Sequence, residues 1–154
     1  MNVLTLDVET THNDRQGGGT TALPYFNNRL VSVGWKWLLN QDVNYEFFYH
    51  KDKDTWYNSE TVNRIQNDLD KTDVLIGQNI KFDIMWLRAC GFKYDGVIYD
   101  TMVAEYLRSK GRRWSLALDA LAKRYNVTQK ETDLVTPYLK DGKTFFDIPA
   151  EIVE

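Results

Sequence analysis

Residues 3–9 have the sequence VLTLDVE. Its two leucines and Val8 occupy alternate positions, so they share one face of a β-strand, and Asp7 and Glu9 share the opposite face. The stretch therefore predicts a half-buried strand that ends in two acidic residues.

The segments that follow predict an antiparallel meander. Residues 30–38 and 44–49 carry the β-branched and aromatic side chains typical of strands, and the polar residues 40–42 form a short turn between them. Residues 11–28 are polar, glycine-rich and without periodicity, so we expect a long loop there. The first three strands should then be antiparallel neighbours.

Further along the chain the apolar residues change to helical spacing, which predicts helices alternating with strands. A helix over 59–70 followed by a strand over 73–77 indicates a crossover connection. Beyond it we expect a helix over 83–90 with Gly91 as its stop, a short strand at 97–98, helices over 100–108 and 115–125, and a helix beginning at 147–149.

The composition limits the possible functions. A chain of 154 residues suffices for one domain, and we expect residues 1–154 to form a single one. One cysteine and two histidines exclude a cysteine/histidine zinc cage, so a metal site must use oxygen ligands. The net charge of −3 argues against a broad basic surface. With no membrane-spanning run and no signal-peptide pattern, we expect a cytoplasmic protein without a membrane partner.

The two acids of the first strand are candidate metal ligands. Asp7 and Glu9 project from the same face, with backbones roughly 6–7 Å apart. Their charges repel unless a cation lies between them, and carboxylate oxygens are the ligands that Mg²⁺ and Mn²⁺ prefer. The alternative is a pair of solvated acids at the end of a strand.

A second candidate cluster lies where a strand ends and a helix begins, in GQNIKFD at residues 77–83. Taken alone, Asp83 is explained as a helix N-cap and Asn79 as a turn residue. Asp100 repeats the same layout at the next junction, where capping is again the simpler interpretation. The co-occurrence of acids at three such junctions favours a shared site.

These motifs resemble a known family. DVET at residues 7–10 is similar to the first motif, and QNIKFD at 78–83 to the second motif, of the DEDD-type 3′–5′ exonucleases. The resemblance is to the proofreading domains of family A DNA polymerases in particular. DTM at 100–102 and SLALDALAKRY at 115–125 resemble the segment that follows the second motif there. The resemblance thus extends over nearly the whole chain.

The resemblance implies an α/β, RNase H-like fold, with a mixed five-stranded sheet flanked by helices and the first three strands antiparallel. It also implies phosphodiester hydrolysis with two Mg²⁺ or Mn²⁺ ions. In this scheme Asp7 contacts both ions, Glu9 contacts one, and Asp83 contacts the other through water. These three residues are therefore the predicted catalytic and metal-binding residues.

The substrate implied by the resemblance is a single-stranded or frayed DNA 3′ end. The residues predicted to contact it are Thr10, Gln78, Asn79, Phe82, Arg112 and Arg113. Asn79 and Gln78 would hydrogen-bond the terminal nucleotide, and Thr10 would donate to its phosphate or sugar. For Phe82 the alternative is a core position, and for the basic residues it is a solvated loop.

The third motif of the family, Tyr-x-x-x-Asp or His-x-x-x-x-Asp, is not found in the sequence. Tyr138 has aspartate at +3, and His50 has aspartate at +2 and +4. We therefore expect a chain truncated before this motif, a parent protein with a linked polymerase domain, and reduced hydrolysis by the 154 residues themselves. Glu151 and Glu154 lie too early in the last predicted helix to replace the missing acid.

Two other functional classes remain open. The missing acid is compatible with a catalytically inactive, exonuclease-like module that binds nucleic acid or a partner protein. Paired carboxylates also serve glycosidases, whose activity would survive a chelator.

Overall fold

The computed structural model describes residues 1–14, 20–53, 58–127 and 134–153. From the N-terminus its elements are β1 (Val3–Thr10), β2 (Asn13–Asp14), β3 (Thr20–Thr21), β4 (Leu30–Trp37), β5 (Asn44–Phe47), α1 (Ser59–Asp70), β6 (Val74–Gly77), α2 (Lys81–Ala89), β7 (Val97–Asp100), α3 (Thr101–Arg108), α4 (Leu118–Tyr125), α5 (Thr136–Lys140) and α6 (Ala150–Val153). Within the described ranges, no helix has the length and apolar character needed to cross a membrane.

The main sheet has five strands in the order β5-β4-β1-β6-β7. β1 is antiparallel to β4 and parallel to β6, and β6 is parallel to β7. β4 is in turn antiparallel to β5, so β1, β4 and β5 form the expected antiparallel meander. This arrangement confirms the expected mixed sheet with helices on its flanks. β1 pairs with β4 over residues 4–10 but with β6 only over residues 3–5. The second half of β1 therefore has a strand on one side only.

Burial along β1 follows the alternation of its sequence. Leu4, Leu6 and Val8 belong to the hydrophobic core, whereas Asp7 is exposed and Glu9 is half-buried. The core also takes buried side chains from α1, β6 and α2, including Ile65, Leu69, Leu75, Ile84 and Leu87. The crossover helices thus cover the face of β1 that carries the leucines, and the acids are left on the other face.

Three helix starts differ from the prediction. α2 begins at Lys81 rather than at Asp83, because the left-handed residue Asn79 ends the preceding turn two residues earlier. α4 begins at Leu118 rather than at Ser115, whose hydroxyl instead accepts a 3.4 Å hydrogen bond from the amide of Ala117. Neither helix has a side-chain cap, so no capping residue marked its start in the sequence.

At the third, α6 begins at Ala150, after the predicted start at 147–149, because Asp147 accepts hydrogen bonds from the amide and hydroxyl of Thr144 rather than capping the helix. The short helix α5 was not predicted.

The segment predicted as a loop at 11–28 contains a small second sheet. β2 and β3 pair antiparallel, with Asn13 opposite Thr21. The side chain of Asn28 donates to the carbonyls of Thr21 and Leu23 at 2.7 and 2.8 Å, which ties the return of the segment to β3. The segment is ordered by hydrogen bonds from a side chain to the backbone, which leave no apolar periodicity in the sequence. The small sheet was therefore not predicted.

The C-terminal segment is fastened to the body by His50. This buried side chain accepts a hydrogen bond at Nδ1 from the amide of Asp52 at 3.1 Å, so Nε2 carries the hydrogen and donates to the carbonyl of Ile148 at 2.7 Å. The carboxylate of Asp52 accepts from the amide of Ala150 at 3.4 Å. His50 therefore has a structural role that joins chain positions nearly one hundred residues apart.

We expect His50→Ala to lower the free energy of unfolding by about 2–3 kcal/mol, because it leaves the buried carbonyl of Ile148 and the part-buried amide of Asp52 without partners and removes packed volume. Urea denaturation followed by far-UV circular dichroism measures this change. The half-buried His12 is the control, and His12→Ala should cost less than about 1 kcal/mol. Equal losses in the two variants would contradict the anchoring role of His50.

Candidate nuclease site

The carboxyl ends of the three parallel strands lie at one edge of the sheet. β1 brings Asp7 and Glu9 to this edge, β6 ends there at Gly77, and β7 ends there at Asp100. Gly77 and Asp100 are direct partners in the register of β6 and β7. The sequence-predicted junctions are thus adjacent in the fold.

Asp83 lies in the first turn of α2 and is only 3 % exposed. Its Oδ1 accepts a 3.0 Å hydrogen bond from the amide of Val8. Since β6 pairs with β1 only as far as Thr5, the Val8 amide has no strand partner on that side. The carboxyl of Asp83 supplies the missing acceptor and is thereby held against the segment that carries Asp7 and Glu9.

The environment of Asp83 disfavours its charge. Burial, the negative charge of Asp7 and, to a smaller extent, the charge of Asp100 together raise its pKa from 3.8 to about 7. The hydrogen bond from the Val8 amide opposes these effects. The charge of Asp7 therefore disfavours the ionisation of Asp83 at the sheet edge.

Asp100 orders the turn that precedes α2. Its Oδ1 accepts hydrogen bonds from the amides of Met102 and Val103, at 2.9 and 3.4 Å, and so caps α3. The same oxygen accepts from the amide of Asn79 at 3.0 Å. Asn79 is exposed and has a φ of 56°, in the left-handed region. The capping interpretation of Asp100 is confirmed, and the Asn79 turn is fixed by the same carboxylate.

Gln78 uses both ends of its amide within the chain. Its Nε2 donates to the carbonyl of Leu116 at 2.7 Å, and its Oε1 accepts from the hydroxyl of Thr101. Each amide atom retains one further hydrogen-bonding position. The predicted contact of Gln78 with a nucleotide stays a prediction, and its structural partners were not visible in the sequence.

The other predicted contact residues differ in their surroundings. Thr10 is buried at the end of β1, and Phe82 is half-buried and packs against the hydrophobic core, as its alternative interpretation has it. Arg112 and Arg113 are exposed in the connection between α3 and α4, and the guanidinium of Arg112 lies 4.9 Å from the ring centre of Trp114. None of these positions decides their role in binding.

The acids fit a divalent cation in their chemistry. Mg²⁺ commonly binds one or two carboxylates and keeps several waters, and Asp7 and Asp83 are two carboxyl groups at one edge. Among the residues that the structure describes, no three histidine, cysteine, aspartate or glutamate side chains form a group positioned to hold a metal ion. The joint ligation by Asp7, Glu9 and Asp83 therefore stays a prediction.

The comparison with protein families agrees with this geometry. Residues 4–136 match the family model described as 3′–5′ exonuclease. The chain belongs to this 3′–5′ exonuclease family. No curated protein matches the chain. The matched range includes both motif segments, all five strands of the main sheet apart from Val3, and the first four helices.

Within this exonuclease domain, we expect the stability of the metal-free protein to depend on the ionisation of Asp83. Its pKa in the folded chain is about 7, above the ordinary value of 3.8, so the stabilising effect of its proton is complete below pH 4 and is lost as the pH rises through 7. Raising the pH from 5 to 8 should therefore lower the free energy of unfolding by about 2–3 kcal/mol through this group.

Urea denaturation in EDTA at several pH values measures this dependence. Asp83→Asn keeps an acceptor for the Val8 amide and removes the titration, so its stability should vary less over the same range. An unchanged pH dependence in the Asn variant would contradict the raised pKa of Asp83.

We expect Asp100→Ala to destabilise the exonuclease domain by about 1–2 kcal/mol, because α3 loses its cap and the Asn79 amide loses its acceptor. Asp100→Asn is the matched control, since its side-chain oxygen can accept the same hydrogen bonds. Thermal unfolding should place the Asn variant close to the wild type. Equal destabilisation by the two substitutions would show that the hydrogen bonds of Asp100 are not the cause.

Proposed function

We propose that the chain is a divalent-cation-dependent 3′–5′ exonuclease acting on the 3′ end of DNA. The observation that carries this proposal is the position of Asp83, whose buried carboxyl is bonded to the amide of Val8, the residue between Asp7 and Glu9. The charge of Asp7 raises the pKa of this carboxyl, which supports a shared site for the two acids. Membership of the exonuclease family supports the same reading.

Mg²⁺ or Mn²⁺ is the cofactor in this proposal. When bound, two such ions would supply Lewis-acid activation of a water for phosphodiester hydrolysis and charge stabilisation for the departing 3′ oxygen. Asp7, exposed at the edge, and Asp83, bonded to the Val8 amide, would hold the ions there, and the half-buried Glu9 is the third predicted ligand. The chain's own contribution is to keep these carboxyl groups in place before the substrate arrives.

The proposed substrate is a frayed or single-stranded DNA 3′ end. Asn79 is exposed at the edge and its backbone is held by Asp100, so it is suited to hydrogen-bond the terminal nucleotide. Thr10 and Gln78 are the other proposed contacts near the acids. The sequence resemblance to proofreading domains supports removal of mispaired ends beside a linked polymerase domain.

A second candidate is a catalytically inactive module that binds nucleic acid without cutting it. One observation favours it: no group of three potential metal ligands occurs among the described residues. The two candidates differ in whether product appears when Mg²⁺ or Mn²⁺ is added, so one assay separates them.

We expect the chain to shorten a 5′-labelled single-stranded oligonucleotide stepwise from its 3′ end in Mn²⁺ or Mg²⁺, at a rate reduced by the absent third motif. EDTA should abolish the reaction. Asp7→Ala and Asp83→Asn should each lower the rate at least about 100-fold, because each removes charge that holds the cations. Gel electrophoresis of the labelled products measures both rate and direction.

The control for charge is Asp95→Asn, since Asp95 is exposed and lies outside the candidate site. It should cleave like the wild type. Products from an oligonucleotide with a blocked 3′ end would contradict the proposed direction. No cleavage in either metal, with DNA binding retained, would favour the inactive module, and cleavage that survives EDTA would exclude the cation scheme.

A further inference from the structure

A surface beside the candidate site combines exposed aromatic rings with arginines. Trp114 is 42 % and Tyr125 is 41 % exposed. The guanidinium carbons of Arg112 and Arg124 lie 4.9 and 4.7 Å from the ring centre of Trp114, and that of Arg108 lies 5.0 Å from the ring centre of Tyr125. We call these five residues the arginine–aromatic face.

One buried acid holds part of this face in place. Glu105 on α3 is 5 % exposed and accepts hydrogen bonds from Arg124 at 2.6 Å and from the hydroxyl of Tyr125 at 2.5 Å. These bonds, led by that from Tyr125, lower the pKa of Glu105 and keep it ionised. Arg124 also donates to the carbonyl of Ser115 at 3.1 Å. Arg124 and Tyr125 are thereby fixed, and the charge of the buried Glu105 is already neutralised by Arg124.

The other cationic side chains of this region are available to bind an anion from outside the chain. Among the residues that the structure describes, no acidic side chain forms an ion pair with Arg112 or Arg113. Lys110 lies in the same exposed connection. In a chain of net charge −3, this connection is a local concentration of positive charge. Phosphate groups are the anions that such a stretch attracts.

The face is connected to the candidate site. Gln78, next to Asn79, donates to the carbonyl of Leu116, two residues after Trp114. A cavity of about 600 Å³ has Gln78 and Tyr125 in its walls. The rest of its lining is largely apolar and comes from β7, α3 and α4, including Tyr99, Ala104, Leu118 and Leu121. It therefore runs from the motif residues to the face and is large enough for an unstacked base.

We propose that the arginine–aromatic face binds the single strand behind its 3′ end. Arg108 and Arg112 move from the rings of Tyr125 and Trp114 to backbone phosphates, and bases take their place against the two rings. This inference rests on the proposed function for the position of the 3′ end at the acids. Aromatic rings stack on any base, so the contact is independent of sequence. Arg124 is a positioning residue that holds the ring of Trp114.

The occupant is a single strand rather than a duplex, because stacking on the two rings requires bases that are already unpaired. If Trp114 only packs against Arg124, replacing it should not change the DNA affinity of protein that remains folded. The two interpretations therefore differ in a binding measurement on folded protein.

The test is binding of a 5′-fluorescein-labelled 12-nucleotide thymidine strand, followed by fluorescence anisotropy in EDTA so that no cleavage occurs. Trp114→Ala should weaken binding about tenfold, and Trp114→Phe should restore most of the affinity because it keeps an aromatic face. Arg112→Ala should weaken binding and make the salt dependence shallower, by about 0.7 in the slope of log K against log salt.

Arg88→Ala is the matched control, because Arg88 is exposed at the far end of α2 from the acidic edge. It should leave affinity and slope unchanged, and circular dichroism should show every variant folded. Wild-type affinity in folded Trp114→Ala, or equal affinity for a blunt duplex of the same length, would overturn the proposal.

The outcome for the face is distinguishable from that for the proposed function. Binding that depends on Trp114, without cleavage in Mn²⁺ or Mg²⁺, would support the face and contradict the exonuclease activity. Metal-dependent cleavage together with DNA binding that ignores Trp114 would leave the exonuclease proposal standing and overturn the face.

Discussion

The candidate site depends on one hydrogen bond, from the amide of Val8 to the carboxyl of Asp83. It exists because β1 continues beyond the point where β6 stops pairing with it, after Thr5. A buried amide without an acceptor costs about 1–3 kcal/mol, so α2 must present a polar side chain at this place. A carboxyl group satisfies the amide and also places a titratable group beside Asp7.

The carboxyl group of Asp83 is buried beside other acidic side chains, which disfavours its ionisation. Burial and the charge of Asp7 both oppose ionisation of Asp83, and Asp100 adds to the same effect. An amide side chain would accept the hydrogen bond of Val8 without this conflict, so the acid at position 83 is not explained by stability alone. Clustered negative charge at the end of parallel strands is consistent with a site for positive charge, and the family to which the chain belongs supplies a reason for it.

The elements that sequence reasoning predicted well are those with a regular apolar period. β1 alternates over eight residues, and α1 was predicted over its whole length, Ser59–Asp70. The starts of α2 and α4 were missed because a left-handed residue and an extended segment set them, rather than a capping side chain. The hydrogen bond between Val8 and Asp83 joins residues 75 positions apart, and no local sequence pattern predicts it.

Gln78 shows how structural and binding roles can share one side chain. The resemblance assigned it to the substrate, whereas its amide joins β6 to Thr101 and Leu116. The two roles are compatible because a side-chain amide has two donors and two acceptor positions, and these partners use one of each. Gln78 holds the connection after α3 through the carbonyl of Leu116, and it lines the same cavity as Tyr125. It therefore links the position of the acidic edge to that of the arginine–aromatic face. The spacing between the two surfaces is therefore set by the fold rather than by a flexible loop.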